Sequence, residues 1–216
     1  MIVAMKVMIN ENIIYRNYGN DYIVLYWKSI VPRNNGGRLM NFFYIEETAK
    51  EIAKSHNNAH CIKMILEYAQ MLSTTHRVVD QYYHEVDGKY VFVGLPKDMQ
   101  KLYKIAHLNH PTTIWVRESV QHYNFMYDVF EALCDEYTYR YGKVHESDSK
   151  LRELLRKPPS RLKDNGFQEP PQCMPDEYKV EGNSLLAYRK FYMGDKQWKG
   201  WRSEYKKRDK PKWMCV

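Results

Sequence analysis

The stretch His56-Asn57-Asn58-Ala59-His60-Cys61-Ile62-Lys63-Met64-Ile65-Leu66-Glu67-Tyr68-Ala69-Gln70-Met71-Leu72-Ser73-Thr74-Thr75-His76-Arg77 decides the fold. It reads as part of one long helix over residues 46–78. Its ionisable and polar positions His56, His60, Lys63, Glu67, Gln70, Thr74 and Arg77 recur at spacings of four and three. At roughly 100° per residue they fill a sector of about 100°. Ala59, Cys61, Ile62, Met64, Ile65, Leu66, Tyr68, Ala69, Met71 and Leu72 occupy the rest of the circumference. That is too much apolar surface for a peripheral helix, so the pattern predicts a central one. Its polar stripe then either lines a cleft or is a solvated strip held by ion pairs such as Lys63 with Glu67.

A second long helix is expected over 112–141, entered through Asn109-His110-Pro111 and ended at Gly142, because Asn caps, Pro suits a first turn and Gly suits the exit. Trp115, Met126, Phe130, Leu133 and Tyr137 follow helical spacing along it. Shorter helices are expected over 149–156, stopped by Pro158-Pro159, and over 184–193, capped by Asn183. Residues 165–180, with Pro170-Pro171 and Met174-Pro175, read as an extended loop, residues 41–44 as a short strand, and 82–93, with Asp87-Gly88, as a hairpin or ordered loop. The fold class is mainly α: a compact helical domain around two long helices, with a small β-containing N-terminal appendage.

Three segments are expected: an extension over 1–39, a helical core over 40–195 and a basic aromatic segment over 196–216. The first is rich in Val, Ile and Tyr, ends in Pro32-Arg33-Asn34-Asn35-Gly36-Gly37 and contains none of the eight histidines. Met40 is a natural start on this reading, because Gly36-Gly37-Arg38 fits a purine-rich ribosome-binding sequence. The last segment interleaves Lys196, Lys199, Arg202, Lys206, Lys207, Arg208, Lys210 and Lys212 with Trp198, Trp201, Tyr205 and Trp213. Cations neutralise phosphates and flat rings stack on unpaired bases. The competing reading has the tryptophans fastening the segment to the core.

The chain has 216 residues, 44% hydrophobic and 14% aromatic, enough for a substantial core. No apolar run approaches the roughly 20 residues that span a bilayer, and no leader-like segment opens the chain, so an intracellular protein without a membrane partner is expected. The four cysteines are scattered without Cys-x-x-Cys spacing, which suggests neither a disulfide framework nor a zinc ribbon. The formal net charge of +7 favours a polyanionic partner.

The strings 60–70 and 72–77, Asn109-His110-Pro111 with Trp115-Val116-Arg117-Glu118-Ser119, Cys134-Asp135-Glu136-Tyr137 with Arg140-Tyr141-Gly142-Lys143, and Met174-Pro175-Asp176-Glu177-Tyr178-Lys179 resemble a family of small tailed-bacteriophage proteins. The resemblance runs from Met40 onward and leaves out 1–39. Some members carry the label of pyrimidine-dimer DNA glycosylases, and Pro211-Lys212-Trp213 is similar to the end of that enzyme class. It implies phage DNA metabolism in the cytoplasm of an infected bacterium. That enzyme class uses an exposed N-terminal amine, and neither Ile2 after Met1 nor Asn41 after Met40 suits the processing that would expose one.

Three classes of function follow. In a glycosylase, lyase or base-modifying enzyme, Lys63 would be the amine nucleophile and Glu67 the carboxylate steadying the cationic intermediate, with His60 and His110 as further catalytic candidates. Arg77, Arg117, Arg140, Lys143, Trp198, Trp201, Arg202, Lys206 and Lys207 would hold DNA, with Trp115 or Tyr141 filling a vacated stack. No cofactor is predicted. A divalent metal could sit on His56 and His60 at i and i+4, completed by His76, His110 or Glu67 for hydrolysis; the absence of a glutamate after His56 argues against the zinc-protease motif. The third class is a binding protein without turnover. There is no Gly-x-Ser-x-Gly and no phosphate-cradling glycine loop.

Overall fold

The computed structural model describes residues 41–80, 97–197 and 200–215 with side chains, Asp98 in backbone only, and the backbone alone of five short strands. Three of these, β1 (Ala4–Ile9), β2 (Asn12–Asn17) and β3 (Ile23–Tyr26), pair in antiparallel order. The remainder of the expected appendage lies outside the described residues. Strands β4 (Tyr83–Val86) and β5 (Lys89–Phe92) also pair antiparallel, while Asp87 and Gly88 lie outside the described residues.

The other described residues form helices and loops. The expected first helix is two, α1 (Ala49–Ser55) and α2 (Asn58–Val79). The break falls at His56, which is extended at φ −73° and ψ 133°, and at Asn57, whose side chain accepts from the His60 N–H 2.9 Å away. An Asn in that position satisfies an otherwise orphaned helix donor and starts a new helix. The apolar circumference does make α2 central: Cys61, Met64, Ile65, Tyr68, Ala69, Met71 and Leu72 are fully buried. It packs against the later helices α3 (Pro111–Val116), α4 (Val120–Tyr141) and α5 (Glu146–Leu155), and against the 3₁₀ turn Gly200–Ser203. Leu66 alone of the expected apolar set stands well out, at 40% exposed.

The second expected helix also divides. Pro111 begins α3 as expected, but His110 rather than Asn109 caps it, its Nδ1 accepting from the Thr112 N–H at 3.2 Å. The chain then leaves the helix, and the Ser119 hydroxyl caps α4 by accepting from the Gln121 N–H. Gly142, at φ +66°, ends α4 in the left-handed region that suits glycine. Helix α5 begins three residues earlier than expected because His145 caps it, and α6 (Ser184–Asp195) starts under Asn183 as expected.

Residues 41–45 are not a strand. Phe42, Phe43, Tyr44 and Ile45 all point into protein, so no solvent face alternates with a core face. Phe42 stacks on Trp115 and meets Tyr68 and Phe125 edge-on, while Phe43 stacks on the His60 ring with centroids 4.2 Å apart. The segment 165–180 is a loop, as expected, without helix or strand apart from the 3₁₀ turn Asp176–Tyr178. No helix among the described residues is long and apolar enough to cross a membrane.

Candidate nucleic-acid interface

Most side chains of the α2 stripe are engaged by partners within the protein. At its N-terminal end His56 and His60 are buried, and both belong to a hydrogen-bonded network inside the protein. His56 donates from Nδ1 to the Ile52 carbonyl at 2.6 Å, which leaves Nε2 to accept from the Tyr68 hydroxyl at 3.3 Å. Burial pulls the His56 pKa down to about 4, so the ring is neutral. Nδ1 of His60 lies 3.0 Å from the Tyr192 hydroxyl, which also accepts the Asn57 N–H. The expected i, i+4 metal pair thus straddles a helix break, with both nitrogens of His56 engaged by protein. Among the described residues no three His, Cys, Asp or Glu side chains gather as a metal would need.

In the middle of the stripe, Lys63 and Glu67 form an ion pair at 2.6 Å, with the lysine side chain 38% exposed and the glutamate 12%. At the C-terminal end, Thr74 bonds both the carbonyl and the N–H of Ala106, and Arg77 donates to the carbonyls of Leu102 and Tyr103. These residues fasten the neighbouring segment 102–106. His110 is a helix cap, and burial lowers its pKa to about 4.

Several expected DNA contacts are interior fastenings too. Arg117 donates to the carbonyls of Leu108 and Thr113. Trp115 is buried, stacks on His122 and donates to the Gln168 carbonyl. Arg140, 1% exposed, is the largest of the fully buried side chains among the described residues. Its Nε donates to Glu136 at 2.6 Å, and its two terminal nitrogens donate to the carbonyls of His56 and Lys54 at 2.8 and 2.9 Å. One guanidinium therefore caps the end of α1 and fixes the bend before α2. A buried cation needs this kind of full engagement.

Cations do collect outside, where the C-terminal segment returns over the bend. Asn58 pins that segment: its N–H donates to the Glu204 carbonyl, its Nδ2 to the Trp201 carbonyl, and its Oδ1 accepts from the Lys206 N–H, all within 2.9 Å. Trp213 donates to Glu46, which also binds Arg189 and Ser55. Tyr205 and Pro211 are buried. The reading of Trp213 as a fastener holds here, whereas Trp198 lies outside the described residues.

What the segment leaves outside is basic and aromatic. Trp201, Arg202, Lys206, Lys207, Lys210 and Lys212 are exposed. Lys206 lies over the Tyr141 ring, 5.0 Å from its centroid; Lys207 and Arg208 lie over Tyr139 at 5.3 and 4.2 Å. Lys207 also donates to the Tyr139 carbonyl at the end of α4, where the helix dipole favours a cation. Arg208 is held by Glu136 through two hydrogen bonds, 3.0 and 2.9 Å. Burial alone would raise the Glu136 pKa, but the guanidiniums of Arg208 and Arg140 hold it below the ordinary carboxylate value. Lys143, just past the end of α4, is exposed. Tyr139, Asn58 and Arg208 were not among the expected contacts. The alternation Tyr137-x-Tyr139-Arg140-Tyr141 was the available signal, since neighbouring residues at a helix end point different ways.

Comparison of the chain with protein-family models, with curated proteins and with solved structures finds no match.

Proposed function

We propose that the chain is a DNA-binding protein that engages the polyanion through the face built by Lys206, Lys207, Arg202, Trp201, Tyr139 and Tyr141. The observation carrying this reading is that lysines stand exposed beside aromatic rings on a segment whose backbone Asn58 holds fixed. A pre-ordered segment loses little entropy on binding, and its cations gain by releasing counterions from phosphate. Net charge +7 acts in the same direction at longer range. The choice of DNA, and of a phage-infected bacterial cytoplasm as the setting, rests on the sequence resemblance.

A base- or sugar-directed enzyme is the second reading. It is favoured by Glu67, whose Oε2 is buried and has no hydrogen-bond partner among the described residues, one turn from Lys63. A single titration tests both. Undamaged DNA and DNA with abasic or dimerised pyrimidine sites are offered at several salt concentrations, with borohydride present and with a chelator-treated parallel. The binding reading expects log affinity to fall linearly with log salt, by about 0.7–0.9 per phosphate neutralised, with a shallower slope for Lys206→Ala/Lys207→Ala. Salt-insensitive or absent binding overturns it. A trapped adduct lost in Lys63→Ala would install the enzyme reading instead.

A further inference from the structure

Two flat side chains on the cationic face have no partner that a double helix could supply. Trp201 is 54% exposed and Tyr139 48%. Among the described residues no hydrogen bond or ring contact engages the Trp201 indole; only its backbone carbonyl is held, by the Glu204 N–H and the Asn58 amide. The same amide holds the backbone of Lys206, so the indole and the lysine issue from one anchored loop. Tyr139 is rigid in the last turn of α4, with Lys207 and Arg208 against its ring. In a duplex the base faces are already stacked on one another, and an exposed indole gains little from phosphates. A single strand offers those faces, and stacking on aromatic side chains is tolerant of sequence.

We infer that this face takes single-stranded DNA, with successive bases stacking on Trp201 and Tyr139 and the backbone phosphates against Lys206, Lys207 and Arg202. The inference rests on the DNA-binding reading and narrows it. Arg208 serves differently from the lysines. Its two hydrogen bonds to Glu136, a carboxylate shared with buried Arg140, keep its guanidinium under Tyr139 as a support for the stacking ring.

The test is fluorescence anisotropy of the full-length chain with a labelled oligothymidylate and with a duplex of equal length at the same salt. The single strand should bind about tenfold more tightly. Trp201→Ala and Tyr139→Ala should each weaken it about fivefold or more, while changing duplex affinity less than about twofold, and Trp201→Phe should restore most of the loss. Both positions are exposed, and unchanged thermal midpoints would verify that the variants fold. Lys206→Ala/Lys207→Ala should weaken both ligands and flatten both salt slopes. Equal affinity for the two ligands, or equal losses on both in Trp201→Ala, overturns the single-strand inference and leaves the DNA reading standing. Absence of salt-sensitive binding to either ligand overturns both.

Discussion

Arg140 and His56 sit at the same bend, and each is interior for a reason that charge counting alone conceals. Arg140 reads in sequence as a phosphate contact, yet its donors are engaged by Glu136 and by the carbonyls of Lys54 and His56. Arg140→Ala would leave Glu136 and two helix-end carbonyls without this partner, and the expected loss is ~3–5 kcal/mol in urea unfolding. Arg140→Lys should recover little, because a point ammonium cannot reproduce the planar fork. His56 makes a prediction in pH. Its folded pKa, about 4, lies below the ordinary 6.5, so the unfolded chain binds the proton first. The stability it contributes is therefore present above about pH 6.5 and declines as pH falls toward 4, by ~3 kcal/mol in all. Thermal midpoints should drop between pH 7 and 5 while NMR of the imidazole still reports the neutral Nδ1–H form. A charged His56 ring at pH 5.5 would contradict this.

At the scale of elements, helix identity was legible and helix continuity was not. The apolar positions of 59–72 announce a central helix, because so wide an apolar arc needs protein around most of the circumference. The break at His56-Asn57 is set by one side chain accepting one N–H, and a periodicity of 3.6 passes through such a cap unmarked. Ser119 interrupts the second long helix in the same way. The polar stripe was legible only in part: its spacing placed Lys63 beside Glu67, which do pair, whereas what faces its other residues is decided by chain distant in sequence, such as Ala106 against Thr74. Asn57→Ala tests the bend directly. Loss of an N-cap costs ~1 kcal/mol, and the Asn57 side chain also donates to the Lys196 carbonyl, so the cost should lie toward ~2 kcal/mol. Asn58→Ala should cost a similar amount and, in addition, expose residues 200–206 to limited proteolysis, since Asn58 holds the carbonyl of Trp201 and the N–H of Lys206. Unchanged cleavage in Asn58→Ala would show that the segment is held elsewhere.

Across the whole molecule, the C-terminal segment is where binding and folding meet. Its composition left open whether it serves a polyanion or fastens to the core; its outer surface carries the cations, and its inner surface closes the fold. Tyr205 is buried with its hydroxyl on the Met214 sulfur, and Trp213 reaches Glu46, which in turn secures Arg189 and Ser55. Arg208 provides the second cation on Glu136. Removing residues 200–216 would uncover the N–H and side chain of Asn58 and leave Glu136 with Arg140 alone. Several buried hydrogen bonds at ~1 kcal/mol each, together with the apolar surface of Tyr205 and Trp213, put the loss at several kcal/mol, a large share of the ~5–15 kcal/mol typical of a domain. The shortened chain should therefore show a much lower urea midpoint or no cooperative transition. A separable tail would instead leave the midpoint unchanged and abolish only binding to DNA. Double alanine replacement of Lys206 and Lys207 provides the complementary case, because their exposed ammonium groups can be removed while Asn58 still holds the backbone. In that variant the salt slope should flatten with the midpoint unmoved, which separates the outward role of the segment from its inward one.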